Sequence, residues 1–479
     1  MKFYGRQQEL KQIQSITKQS KQSGKMTVIT GRRRVGKTLL SLEATRDEKV
    51  LYLFIAKKSE SLICQECIEV IRNTFDVPVI GEITQFRDVF KLLMEVAKTQ
   101  HFVLIIDEFQ EFYRVNPAVY SEIQNLWDQY KRDCAVHILF IGSIYSLMVK
   151  IFQNNKEPLF GRADRILYLK PFQPVTIREI LQDAGYYSVE NFFFMYLLTG
   201  GVPRYLEMLI DNECFTQAEV LDFVLSKNSP FLAEGRHLLI EELGKDYGTY
   251  FSILELIARG KTGRGEIESV LAVNTGGYIQ RLSDVYDVIE AHRPINAKPA
   301  GKLQKYLIKD NFLNFWFRFI YRNNSAIEAE NFTYVRRILE RDLSSFSGLV
   351  LERLMRSLLS ATGEYSDIGN YWERGNKNEI DIVAINDLDK TVLVGEVKIN
   401  PARASIPKLK EKAVKLEQHY AKYHFEFQVF GLGDIDRHFP DNEKSQWPNE
   451  ITQFQGMKDF PSLESHREDL KTTRDDPFE

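Results

Sequence analysis

Val28-Ile29-Thr30-Gly31-Arg32-Arg33-Arg34-Val35-Gly36-Lys37-Thr38-Leu39-Leu40 decides the fold of the first third of this chain. It satisfies G-x-x-x-x-G-K-[ST] through Gly31, Gly36, Lys37 and Thr38, between an apolar strand and a helical pattern. The glycines let consecutive backbone N–H groups turn inward around phosphate oxygens, and the helix N-terminus adds partial positive charge. Lys37 is expected to reach the β- and γ-phosphates of ATP, and the Thr38 hydroxyl to ligate Mg²⁺. The predicted nucleotide-binding run is therefore Gly31, Arg32, Arg33, Arg34, Val35, Gly36, Lys37, Thr38 and Leu39.

Around this loop, MTVIT, VLYLFI, FVLIID and HILFIG are continuous apolar strands separated by helical patterns. That alternation predicts an α/β fold with a parallel sheet covered on both faces. FVLIIDEF ends in Asp107 and Glu108. An acid at the C-terminal edge of such a sheet sits beside the phosphate loop. Asp107 is thus expected to hold the Mg²⁺ shell, and Glu108 to orient and polarise the attacking water. VHILFIGS ends in Ser143, which either touches the γ-phosphate or merely caps the strand.

These residues resemble the archaeal-type AAA+ ATPases of the STAND-like branch of P-loop NTPases. FYGRQQEL resembles that family's adenine-side box, GRRRVGKT its phosphate loop, IIDEFQ its Walker B, and GGVPRYL at Gly200–Leu206 its lid motif. The resemblance implies ATP hydrolysis, with Ser143 as a sensor, Arg162 in PLFGR as an arginine finger and Arg204 as a lid arginine. A finger acting in trans would require a homo-oligomer. The bland alternative for either arginine is a surface ion pair.

The reading divides the chain into an ATPase core (1–170), a helical lid (171–242), a winged helix-turn-helix (243–325), an α/β restriction-endonuclease-like domain (330–445) and a polar tail (446–479). In the third unit, helices over YFSILELIARG and Arg264–Val273 precede a helix with Ile279, Leu282, Val285 and Ile289 on one face. A hairpin follows. That pattern places Gln280, Arg281 and Ser283 where they could enter a DNA groove, with Lys298, Lys302 and Lys305 near the wing. Winged helices also serve as protein-binding modules. DNFLNFWFRF resembles the junction before the C-terminal domain in this family, and its aromatic stripe reads as core.

In the fourth unit, NEIDIVAINDLDKTVLVGEVK reads as two strands joined by a turn over Asn386–Lys390. Strand side chains alternate, so Glu396 and Lys398 share a face, and an antiparallel neighbour can bring Asp381 beside them. Two carboxylates there could share Mg²⁺. With Glu352 on the preceding helix, the set resembles the PD-(D/E)XK nuclease superfamily, with Ile380 in place of the proline. The resemblance implies catalytic roles for Glu352, Asp381, Glu396 and Lys398, with Asp381 and Glu396 as metal ligands. A surface salt bridge between Glu396 and Lys398 is the plain alternative, and such folds are also kept for binding alone.

Composition fits this plan. Hydrophobic residues make up 44% and charged residues 27%, ordinary for a globular chain. No apolar run approaches the roughly 20 residues of a membrane span, and the N-terminus lacks a signal-peptide core, so the expected location is cytoplasmic with no membrane partner. Cys64 and Cys67 form a C-x-x-C within an amphipathic helical pattern, with no second pair to complete a zinc site. The net charge of −3 is uneven. From Asp434 onward 12 acids face 6 bases, whereas Tyr247–Asn323 carries 11 Lys/Arg against 7 Asp/Glu, which permits DNA binding. The expected function is an ATPase that binds DNA and regulates a nuclease-like domain. The rival is an ATP-dependent switch whose later domains bind partner proteins.

Overall fold

The computed structural model describes residues 2–439 except 78–80, 144, 244–246 and 298–302, so Lys298, Lys302 and the tail 446–479 lie outside the described residues. Its first part is a five-stranded sheet of β1 (Lys25–Thr30), β2 (Val50–Phe54), β3 (Phe102–Asp107), β4 (Val136–Gly142) and β5 (Arg165–Tyr168), ordered β2-β3-β4-β1-β5. All neighbours run parallel. β3 and β4 are buried along their whole length, which is why they read as unbroken apolar runs. Met26, Val28, Leu104 and Ile106 pack under helices Glu60–Thr74, Phe86–Ala97 and Ala118–Tyr130. Ile29, Val103, Ile105 and Leu139 pack on the opposite face. Cys64 and Cys67 lie buried on the Glu60–Thr74 helix, and burial pushes both thiols up to about 12.

Five helices follow: Pro174–Asp183, Val189–Thr199, Pro203–Ile210, Gln217–Val224 and Pro230–Leu243. Three begin with proline, where a missing N–H costs nothing. Ser188 and Thr216 cap two others by accepting from the N–H groups of Asn191 and Glu219. The Pro230–Leu243 helix lies directly on Trp316. A Cβ at Gly235 would fall 2.3 Å from the indole, and Trp316 Nε1 donates to the Leu232 carbonyl at 2.9 Å.

Helices Tyr247–Ala258, Arg264–Leu271 and Gly276–Gln280 come next, the last widening into a π turn through Val285. The hairpin of β6 (Ile289–His292) and β7 (Lys305–Ile308) is antiparallel. The predicted helix through Ile289 is corrected here, because Ile289 pairs with Ile308 in the hairpin. Asp287, at φ 53°, takes the left-handed conformation that an α-helix cannot contain, and this ends the helix.

The 30-residue helix Phe332–Ala361 leads to a second sheet, β8 (Asp367–Glu373), β9 (Lys377–Asn386), β10 (Thr391–Val397) and β11 (His424–Phe430), ordered β11-β10-β9-β8. β8, β9 and β10 are antiparallel, while β11 runs parallel to β10 after a crossover through the Ile406–His419 helix, so the sheet is mixed. That helix covers one face with Leu409, Ala413 and Leu416. The other face contributes Ile382, Leu393 and Val397 to a single apolar cluster that also includes Phe172, Tyr205, Phe231, Trp316 and Phe346.

Candidate functional site

β3, β4 and β1 are adjacent, so their C-terminal ends deliver Asp107, Ser143 and the phosphate loop to one edge. Gly31 is required by a close approach, since a Cβ there would fall 2.3 Å from the Leu169 carbonyl oxygen. Gly36, at φ 86°, opens the helix Lys37–Ala44. Lys37 is buried at 8% exposure, and its Nζ donates to the carbonyls of Gly31 at 2.8 Å and Arg32 at 2.9 Å. Burial lowers its ammonium to about 8, against the opposing pull of Glu108 and Asp107. Among the described residues the acceptors of this ammonium are thus carbonyls of the loop itself.

Thr38 Oγ1 donates to Asp107 Oδ2 at 2.7 Å, and Tyr52 Oη donates to the same oxygen at 2.8 Å. Glu108 adopts the left-handed conformation at φ 54°, a cost of about 1–3 kcal/mol that surrounding contacts must hold. Ser143 Oγ donates to its Oε2 at 3.0 Å, and Gln110 Nε2 donates to the same oxygen. Asp107 Oδ1 accepts from the Glu108 N–H at 2.8 Å. Lys37, Thr38, Asp107, Glu108 and Ser143 therefore form one neighbourhood. Mg²⁺ is commonly held by one or two protein oxygens together with substrate phosphates. The Thr38 hydroxyl and Asp107 carboxylate, already within hydrogen-bond distance, supply such a pair.

Two partners were not anticipated from the sequence, Tyr52 and Gln110. The signal for Tyr52 was a lone hydroxyl in the apolar strand VLYLF, which needs a partner once that strand is packed. The arginine run also has unforeseen partners. Arg32 pairs with Asp310 at 3.1 Å and Glu242 at 3.8 Å, Arg33 with Glu241, and Arg34 with Glu234 at 2.9 Å. Val35 is buried, and Leu39 is exposed. The Arg204 N–H donates to the Arg34 carbonyl at 3.4 Å, but its guanidinium pairs with Glu207 at 2.7 Å. Arg162 pairs with Asp128 at 3.0 Å and donates to the Phe160 carbonyl at 2.9 Å, so its guanidinium is engaged outside the phosphate loop.

At the C-terminal sheet, Asp381 Oδ2 accepts from the Val397 N–H at 2.8 Å and from Lys398 Nζ at 3.1 Å. Lys398 Nζ also pairs with Glu396 Oε1 at 2.8 Å, and Lys412 with Glu396 Oε2 at 2.9 Å. Burial raises the Glu352 carboxyl well above the usual carboxylate range, with nearby Asp381 adding to the effect. Burial also raises Asp381, whereas the Lys398 and Lys412 ammoniums overcome burial and lower Glu396. Among the described residues no group of three or more His, Cys, Asp or Glu is disposed to hold a metal ion. The Lys398 ammonium takes the place between Asp381 and Glu396, so these residues as arranged do not fit a divalent cation. Lys412, from the crossover helix, completes the cluster. Its signal was only a lysine on the sheet-facing flank of an amphipathic helix.

On the helix and π turn before the hairpin, Gln280 is exposed and Arg281 and Ser283 are half-buried. Lys305 pairs with Glu379 at 2.8 Å and lies over the Trp372 ring at 4.8 Å, which ties β7 to the C-terminal sheet. No helix among the described residues is long and apolar enough to cross a membrane.

Residues 3–209 match a family described as an ATPase domain predominantly from Archaea, and residues 316–414 match one described as archaeal and bacterial proteins of unknown function. An uncharacterized protein of Methanocaldococcus jannaschii is 28% identical over 446 residues, covering 91% of this chain and 94% of that one. The Walker-type ATPase of Pyrococcus abyssi is similar in fold, with a TM-score of 0.51 at 18% identity, covering 66% of this chain and 96% of that one. The ORC2 protein of Aeropyrum pernix aligns at a TM-score of 0.47 and 14% identity, covering 69% of this chain and 95% of that one. Residues 3–209 are thus similar to ATPase domains found predominantly in Archaea, and residues 316–414 to the second family.

Proposed function

We propose that the chain binds and hydrolyses ATP at Gly31–Thr38, and that nucleotide occupancy regulates the C-terminal domain. The observation that carries this reading is the convergence of Lys37, Thr38, Asp107, Glu108 and Ser143 on one sheet edge. Backbone N–H groups of the loop and the Lys37 ammonium bind the β- and γ-phosphates. Thr38 and Asp107 would hold Mg²⁺, which would supply charge neutralisation when bound. Glu108 accepts a hydrogen bond from the attacking water, aims it at the γ-phosphorus and draws off its proton as the new P–O bond forms and the bond to the β–γ bridging oxygen breaks, releasing ADP. Ser143 fixes the Glu108 carboxylate, and Tyr52 fixes that of Asp107. Arg162 and Arg204 could serve as finger and lid arginine only by leaving Asp128 and Glu207.

In the same reading residues 243–325 form a winged helix that contacts DNA through the exposed side of Gly276–Val285, and the Asp381–Glu396–Lys398 cluster belongs to a nuclease-like domain. The tethering of Lys305 to Glu379 and Trp372 favours the second reading, in which the hairpin is a packing element and the later domains bind a protein. Titration of duplex DNA against salt, with and without ATP, separates the two. DNA contact predicts a log–log salt slope steeper than about −3, since each neutralised phosphate contributes about −0.9. The same DNA, incubated with Mg²⁺ or Mn²⁺, tests cleavage. Activity lost in both Asp381→Ala and Lys398→Ala belongs to this cluster, and activity retained in both comes from elsewhere. No duplex binding at low salt, with ATP still bound, selects the protein switch.

A further inference from the structure

Of the contacts that tie the phosphate loop to the later part of the chain, the one from Arg32 to Asp310 reaches the end of β7, where Asn311 follows directly in sequence. Asp310 Oδ2 accepts from Arg32 Nη1 of the phosphate loop at 3.1 Å, while its Oδ1 caps the next helix by accepting from the Leu313 N–H at 3.1 Å. Asn311 Oδ1 accepts from Arg353 Nη1 at 3.1 Å. Arg353 also donates to the carbonyls of Ile308 and Lys309, each at 3.1 Å, so one guanidinium grips the end of β7 and the residue after it. One turn further along the same 30-residue helix, Arg356 Nη1 donates to the backbone carbonyl of Asp381 at 2.8 Å. The Asp310 side chain is 8% exposed and Asn311 is 3% exposed.

Breaking a buried ion pair leaves an uncompensated charge, so a loop that moves must either carry Asp310 with it or abandon it at considerable cost. A nucleotide brings several negative charges to the loop that contains Arg32, and the Arg32 guanidinium must then divide its attraction among them, Asp310 and Glu242. A shift of Asp310 displaces Asn311, which shares its backbone. Asn311 in turn holds Arg353, and three residues later on a stiff helix Arg356 holds the strand that carries Asp381.

We infer that Asp310–Asn311 is the positioning node through which occupancy of the phosphate loop sets the placement of the Asp381 strand. This rests on the nucleotide-binding reading above and names the residues of its regulation. Spatial intermediacy alone does not demonstrate coupling, so the test measures the coupling itself.

Hydrogen exchange is followed in the full-length protein with and without a saturating non-hydrolysable ATP analogue, in wild type, Asp310→Asn and Arg353→Lys. Analogue affinity is measured on each. Wild type should show about a fivefold nucleotide-dependent change in exchange across residues 379–398. Both variants should bind the analogue yet lose that difference. Exchange over β1 and β2 without nucleotide reports whether each variant is folded, and Arg353→Lys keeps the charge should Asp310→Asn prove unstable. A purely structural role would raise exchange in the absence of nucleotide but leave the nucleotide-dependent difference intact. A difference that persists in the variants, or is missing from a wild type that binds the analogue, overturns the node. A wild type that binds no nucleotide overturns the parent reading, and the node with it.

Discussion

Lys37→Ala is expected to weaken ATP binding at least about a hundredfold, because a charge-assisted hydrogen bond contributes about 1.5–3 kcal/mol and Lys37 is placed to make more than one. The wild-type pH dependence gives a second signature. Burial holds the unliganded ammonium at about 8, and phosphate contact would favour its charged form. Below that pH the lysine is charged in both states and affinity should be flat. Above it, binding must take up a proton, so affinity should fall by up to about tenfold per pH unit. The Ala variant should lose this dependence together with the affinity. Calorimetric titration from pH 7 to 9 checks both points, and wild-type-like binding by the variant would remove the nucleotide site from this loop.

Glu108→Gln should do the reverse, retaining ATP while turnover falls by about 10²–10⁴, the usual contribution of a positioned general base. The amide is isosteric and can still accept from Ser143 Oγ, so the strained turn at residue 108 should survive. What disappears is the charge that draws the proton from the attacking water. Phosphate release measured at saturating ATP reads the effect directly. Hydrolysis within about tenfold of wild type would assign the base elsewhere.

The parts of this site legible in the sequence are those set by local spacing or by position at a strand end. Gly31–Thr38 is contiguous, and Asp107, Glu108 and Ser143 each fall at or just past the end of an apolar run whose burial is written in its composition. β5 was not legible, because four residues with an exposed first position resemble a loop. The partners of Arg32, Arg33 and Arg34 were hidden for another reason. Glu241 pairs with Arg33 across 208 positions, and no local pattern records such a contact. The antiparallel pairing of β9 with β10 follows from one short turn, whereas the arrival of Lys412 at Glu396 depends on how the crossover helix is rotated.

The apolar cluster that runs from Phe172 through Trp316 and Phe346 to Val397 bears on how the molecule comes apart. Phe346 on the long helix packs edge-on against Phe315 and Phe319, so that helix shares its interior with the segment before it. Cooperative unfolding units follow shared interiors, not the punctuation of the chain. Denaturation should therefore show two transitions, one for the parallel sheet and one for everything from the five-helix region onward. Thermal melts followed by hydrogen exchange would locate the division. A fragment beginning near residue 330 would leave Phe346 without Phe315 and Phe319 and expose the apolar face of the long helix to water, and is expected to aggregate where the full chain does not.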